Sequence, residues 1–252
     1  KSSFETPIST ANVTALGALR ILEVIRITQK NVKFYQASSS EMIGNSSSKI
    51  QNENAFLNPR SPYAISKVFS HNITKNYRDS YSIFACSGIL FNHESPLRGE
   101  EFVTRKISKG LCEIKLKKRE FLELGNLDSK RDWGFAGDYV EGMWKMLQQK
   151  KPDDYVLATN KSYSVRQFVN YCCKHLDIKI QWRGKGKKEI AFNVTNKKVI
   201  IKINPKYYRP TEVDALLGDF SKAKKILNWK PKVLIEDLSK MMVEEDLKRL
   251  KK

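Results

Sequence analysis

Apolar residues at Val13, Leu16, Leu19, Ile21, Leu22, Val24 and Ile25 recur with a helical period and give residues 10–28 a wide apolar face. The next apolar stretch, 32–37, is short and runs into a serine cluster, which predicts a strand. Residues 43–60 follow neither period and read as a polar loop. A helix is predicted over 61–80, with Pro62 in its first turn, where a missing N–H costs nothing. Residues 82–91 (SIFACSGILF) are apolar enough for a strand buried on both faces. The pattern then predicts helix 102–113, strand 121–124, helix 138–149, strand 155–159 and helix 164–175, whose opening S-V-R-Q fits a capping box. Strands alternating with helices of this length indicate an α/β protein with a parallel sheet. Residues 179–206 break the rhythm: they are Lys-rich and β-branched and predict a hairpin. Helices over 221–227 and 235–250 close the chain, and there is no internal repeat.

Composition narrows the class. With 252 residues and 40% hydrophobic content, the chain can bury a core and is not disordered. No run of 18 apolar residues occurs and no compact secretory signal is present, so neither a membrane span nor export is expected. Cys86, Cys112, Cys172 and Cys173 form no CxxC, and with three histidines no metal site is indicated; a reduced, cytoplasmic protein is expected. The formal net charge of +19 invites a nucleic-acid reading, with lysines clustered at 105–119 and 183–206. No recognition helix, RNP motif or zinc finger accompanies that charge, so a nucleic-acid partner is the lesser alternative.

The chemistry gathers around Tyr63-Ala-Ile-Ser-Lys67, at the start of a helix that follows a serine-rich strand end. Spacing of four puts both side chains on one helical face. An ammonium beside a phenol favours the phenolate, which would make Tyr63 a usable base. Ser38-Ser39-Ser40-Glu41 lies at a strand end, where an α/β sheet presents residues to a ligand, and could join Tyr63 in one site. The same serines could equally form a turn or helix cap.

The blocks FYQASSSEM, NPRSPYAISK, GILFNHESPLRGEEFVTRKIS, LGNLDSKRDWG and YYRPTEVD, in this order, resemble the GDP-mannose 4,6-dehydratases, a branch of the extended short-chain dehydrogenase/reductases. The resemblance implies a Rossmann-like, doubly wound parallel sheet with a smaller α/β substrate-binding domain. Residues 1–97, with 138–159 returning, would be the NADP-binding part; 98–137 and 160–252 would bind the nucleotide sugar. It implies conversion of GDP-mannose to GDP-4-keto-6-deoxymannose, a carbon–oxygen lyase reaction using NADP. Tyr63 would take the 4-hydroxyl proton, Lys67 would lower the Tyr63 pKa and hold the nicotinamide ribose, Glu41 would remove the C5 proton, and Ser39 would hydrogen-bond the C4 oxygen. His93 and Arg98 would contact NADP; Asn92, Lys106, Arg131, Arg209 and Glu212 would contact the GDP-sugar. Glu41 separates this reading from its runner-up, a GDP-4-keto-6-deoxymannose reductase or another nucleotide-sugar epimerase/dehydratase.

The departures are equally specific. The family's opening Gly-x-x-Gly-x-x-Gly turn has no counterpart, so the sheet is expected to be partial, lacking its first strands, and the chain to be a fragment with weak NADP binding and little turnover. Strand 32–37 would then be an exposed apolar edge. Ser9, Leu97, Phe135 and Gly137 replace a Tyr, an Arg, a His and a Lys common in the family. Relatives assemble as dimers or tetramers, which implies self-association through 10–28 and 61–80.

Overall fold

The computed structural model describes residues 2–29, 31–44, 50–208 and 217–251. The chain opens with α1 (Ser2–Glu5), α2 (Pro7–Thr10), a π-helical stretch Ala11–Ala15 and α3 (Leu16–Thr28). The i, i+4 and i+7 positions Ala18, Leu22 and Ile25 are buried, and Gln29 ends α3 in the left-handed conformation (φ 50°). Strand β1 (Phe34–Ser39) follows, then a 3-10 turn Ser40–Met42, and helix α4 (Pro62–Tyr81). Ser61 caps α4 by accepting from the Ala64 N–H at 3.1 Å, with Pro62 at its first position as predicted. Strand β2 (Ala85–Leu90) is buried at all six positions, as its unbroken apolar run predicts. Next come β3 (Asn92–Glu94), α5 (Val103–Lys115), β4 (Leu122–Leu124), β5 (Lys130–Arg131), β6 (Trp133–Phe135), α6 (Ala136–Leu147) and β7 (Asp154–Leu157). The chain continues through β8 (Tyr163–Ser164), α7 (Val165–His175), β9 (Ile180–Arg183), β10 (Ile190–Asn193), β11 (Val199–Ile203), α8 (Ser221–Leu227) and α9 (Ile235–Lys251).

Strands β1, β2 and β7 form one parallel sheet in that order, so the protein is α/β and Rossmann-like. Alternation along β2 splits its side chains between two cores. Cys86 and Leu90 join Tyr139, Met146, Tyr155 and Leu157 on the α6 side, while Ile89 packs with Met42, Phe91 and Val156 on the other. β1 is an edge strand, as expected, but a polar one. Its buried Gln36 and Ser38 hydrogen-bond Ser70 (3.1 Å) and His71 (2.9 Å) of α4. Polar pairing with α4 is how this edge avoids an apolar stripe.

A second core lies between α5, α7, α9 and the sheet β4-β11-β10-β9. Residues 179–206 form an antiparallel three-strand meander, and β11 also pairs in parallel with β4. Ser164 and Gln167 close the predicted capping box at the start of α7. Residues 221–229, which the sequence places with the second unit, instead complete the first core. Ala223, Leu227 and Trp229 pack there because the Trp229 indole N–H reaches the Asp138 carbonyl of α6 at 2.7 Å. Asp132 is fully buried and ties three segments together. It accepts from the Thr159 N–H (2.8 Å) and hydroxyl (2.6 Å), the Asn160 N–H (3.0 Å) and the Gly218 N–H (3.3 Å).

The stretch Pro7–Thr28 is long and apolar enough to cross a membrane by length and composition, although no unbroken apolar run exists. In this fold it lies along α4, where Tyr77 donates to Glu23 at 2.7 Å, and leaves Val13, Ile21, Val24 and Ile27 exposed.

Candidate active site

The site is built at the carboxyl end of the parallel sheet. β1 ends at Ser39, whose extended backbone caps the following turn; its Oγ accepts from the Glu41 N–H at 3.2 Å. The Ser-rich segment is therefore a cap and a site element at once. Helix α4 begins beside it and delivers Tyr63 and, one turn later, Lys67. The Tyr63 phenol feels Ser39 and the charges of Glu41 and Arg98. Ser39, Glu41 and Tyr63 thus converge at the end of β1.

Lys67 behaves differently from expectation. Its Nζ lies 5.6 Å from the Tyr63 ring centroid but donates to the Ala37 carbonyl at 2.7 Å. That carbonyl belongs to the edge strand, where an acceptor is open to side-chain donors. Burial raises the Tyr63 pKa and Glu41 raises it further; Ser39 and Arg98 pull it down, and the net shift is upward. Burial also holds the Lys67 ammonium below its ordinary pKa.

The other side of the site comes from the chain leaving β2. Asn92, His93 and Glu94 pair in parallel with Trp133, Gly134 and Phe135. The Asn92 Oδ1 is buried without a hydrogen-bond partner, an acceptor that suits a polar ligand. His93 Nδ1 lies 3.0 Å from the Phe91 carbonyl, and its ring stacks on Tyr139 at 5.3 Å. A carbonyl only accepts, so Nδ1 carries the proton and Nε2 is left as an acceptor. Burial keeps His93 below its ordinary pKa, which favours this neutral form. Arg98 follows after a turn and pairs with buried Glu94, Nε to Oε2 at 3.1 Å.

The expected substrate ligands are more dispersed. Lys106 projects from α5 with its Nζ 3.3 Å from the Tyr207 ring centroid, a cation–π contact. Arg131 lies on β5 and donates to the Lys130 carbonyl at 2.8 Å. Arg209 and Glu212 lie outside the described residues. Glu94, Phe102 and Thr104, which surround Arg98 or its partner, escaped the sequence reading; an acid four residues before Arg98 was the available signal. Among the described residues no group of three or more His, Cys, Asp or Glu is placed to hold a metal.

Comparisons with known proteins converge on one family. The sequence model described as GDP-mannose 4,6 dehydratase matches residues 1–242. A GDP-mannose 4,6 dehydratase of Drosophila melanogaster is 52% identical over 254 residues, covering all of this chain and 64% of the relative. GDP-mannose 4,6 dehydratase 2 of Caenorhabditis elegans is 50% identical, with 98% of this chain and 65% of the relative covered. The chain therefore spans just under two thirds of the length of these relatives. Among solved structures, RMD from Pseudomonas aeruginosa complexed with NADPH superposes with a TM-score of 0.84 at 17% identity, covering 98% of this chain and 77% of that one. UDP-glucose 4-epimerase of Thermotoga maritima, solved with UDP-glucose, gives a TM-score of 0.80 at 20% identity, covering 98% and 74%. At such identities the two structures speak to the fold. With half its residues shared along its whole length, and the Ser39–Glu41–Tyr63 cluster in place at the end of β1, the chain belongs to the GDP-mannose 4,6-dehydratase family.

Proposed function

We propose that this chain carries the dehydration site of a GDP-mannose 4,6-dehydratase, forming GDP-4-keto-6-deoxymannose by internal hydride transfer with NADP. The observation that carries the reading is the meeting of two different proton-accepting groups, the Tyr63 phenol and the Glu41 carboxylate, with the Ser39 hydroxyl acting on the phenol from two residues before Glu41. An alcohol and a carbon acid need bases of different strength, and a phenol beside a carboxylate supplies both. Tyr63 would accept the 4-hydroxyl proton while Ser39 holds the C4 oxygen. Glu41 would remove the C5 proton and release the C6 hydroxyl as water. NADP, when bound, would take up the C4 hydride and return it at C6. His93 Nε2 and the Arg98 guanidinium would hold the nicotinamide end, and Lys67 the ribose beside the Ala37 carbonyl. The orphan acceptor of Asn92, with Lys106, Arg131, Arg209 and Glu212, would contact the GDP-sugar.

The sequence holds no Gly-x-x-Gly-x-x-Gly turn for the pyrophosphate, so the 252-residue chain alone is expected to bind NADP weakly and to turn over slowly. Self-association through Val13 and Val24, together with Ile65 and Phe69 of α4, would cover the exposed apolar face of this helix pair. Four buried free thiols suit a reducing, cytoplasmic setting. The test is mass-spectrometric detection of water loss from GDP-mannose in the presence of NADP+. Glu41→Gln should abolish that loss while leaving sugar-nucleotide binding intact; unchanged dehydration removes Glu41 from the mechanism.

A further inference from the structure

Residues 95–102 carry Arg98 past a groove of about 710 Å³ lined by Pro96, Leu97, Phe135, Val140, Met241 and Arg249. Leu97 is 84% exposed, so apolar packing does little to set the place of this loop. Polar contacts do. Within the loop, the Arg98 N–H donates to the Ser95 carbonyl (3.0 Å) and the Phe102 N–H to the Gly99 carbonyl (3.2 Å). Two guanidinium groups from two helices then meet on the Pro96 carbonyl. Arg105 of α5 donates to it through Nη1, which also lies 3.5 Å from the Arg98 carbonyl. Arg249 of α9 donates to it through Nη1 at 2.9 Å. The other arm of the Arg105 fork, Nη2, is held by Asp246 Oδ1 at 2.7 Å, and Asp246 Oδ2 accepts from the Ser108 hydroxyl at 2.7 Å. The Arg105 and Asp246 side chains are only 6% and 2% exposed.

A buried ion pair is weak ground for stability, because desolvation offsets the attraction. Among the described residues the buried Arg105 Nε has no hydrogen-bond partner, a further cost that leaves this pair little net stability to give. What the pair does supply is geometry: a planar fork holds two acceptors at a fixed angle, where an ammonium is a point charge. We propose that Arg105, oriented by Asp246, is a positioning residue that clamps the Pro96 carbonyl together with Arg249 and so fixes the loop that presents Arg98. Its consequence for the reaction rests on the reading of Arg98 as a cofactor contact. Arg105 and Asp246 have no part in the proposed chemistry and act through the loop.

The experiment is amide hydrogen exchange read by NMR on the whole chain, first without ligand and then with NADP+ at millimolar concentration. Arg105→Lys keeps a charge facing Asp246 but cannot fill both arms of the fork. It should speed exchange at the Arg98 and Phe102 amides by about tenfold more than at Ile89 of the buried β2, since a bond from a charged donor is worth that order. A pair that serves stability alone predicts equal changes at all three amides. Equal changes, or an Arg98 amide without protection in the parent chain, overturn the proposal. Arg249→Gln removes the exposed donor and should speed the two loop amides by about threefold, the lower end for a hydrogen bond, with Ile89 unchanged. No rise there also overturns it, and this variant decides alone if R105K does not fold by circular dichroism. NADP+ should slow exchange at Arg98 in the parent and less so in R105K; equal slowing in both overturns the positioning role. No slowing in the parent instead sinks the reading of Arg98 as a cofactor contact, and the ligand-free result still decides the clamp.

Discussion

Arg78 of α4 reaches across to Asp154 of β7 in a bidentate pair, Nη1 to Oδ1 at 2.8 Å and Nη2 to Oδ2 at 3.0 Å; Nη1 also donates to the Ala85 carbonyl of β2 at 3.1 Å. The two side chains are 11% and 13% exposed, so little water screens them. Replacing Arg78 with Met keeps the aliphatic stem and leaves the Asp154 carboxylate buried without its partner. Breaking a buried pair from one side costs about 3–5 kcal/mol, and the slight exposure places this one near about 3 kcal/mol. The double variant Arg78→Met/Asp154→Leu removes both charges and should recover most of that loss. Burial pushes the Asp154 pKa up, but the hydrogen bonds and charge of Arg78 outweigh it and hold the group below its ordinary value. A depressed carboxylate contributes stability above its unfolded pKa of about 3.9, lost as pH falls through the lower folded value. Arg78→Met should therefore lose part of its disadvantage in acid. Urea unfolding at neutral pH and near pH 3 measures both effects, with an unchanged m-value confirming that the midpoint reports stability. A loss below about 1 kcal/mol at neutral pH, as for a surface ion pair, would refute the reasoning. So would a double variant as unstable as the sum of the singles.

Asp132 should show the opposite pH dependence. Burial raises its pKa from 3.8 to about 6, against the hydrogen bonds from Thr159, Gly218 and Asn160. A raised folded pKa means its stabilisation is present below the unfolded value and is lost as pH rises through about 6. Asp132→Asn should flatten the decline in Tm between about pH 4 and about pH 7. It should also lower Tm throughout, by the equivalent of about 1–3 kcal/mol, because an amide turns a donor toward donors; a pH slope equal to the parent's would count against this account. Ser164→Ala removes the side-chain half of the α7 capping box and should cost about 1 kcal/mol in urea unfolding, with Ser164→Gly costing less; equal losses would point to packing instead.

Much of this protein was legible in its sequence because local period and local chemistry decide local structure. The helical spacing from Val13 to Ile25, the unbroken apolar run of β2, Pro62 after the Ser61 cap and the S-V-R-Q box each settle their element from neighbouring residues alone. The same holds for the strand end that presents Ser39 and Glu41, and for the helix start that presents Tyr63. Partners distant in sequence required the tertiary structure. Spacing of four puts Lys67 on the face of Tyr63, but its four-carbon stem is flexible, and the edge carbonyl of Ala37, thirty residues away, captured it. Arg98 pairs with the buried Glu94 across a turn rather than along a helix, which no helical period records. Residues 221–229 joined the first core through a Trp229 bond to α6, and β11 aligned with β4 across about eighty residues. Sequence determined which elements form and what chemistry they carry; the closing of long loops decided which charges meet.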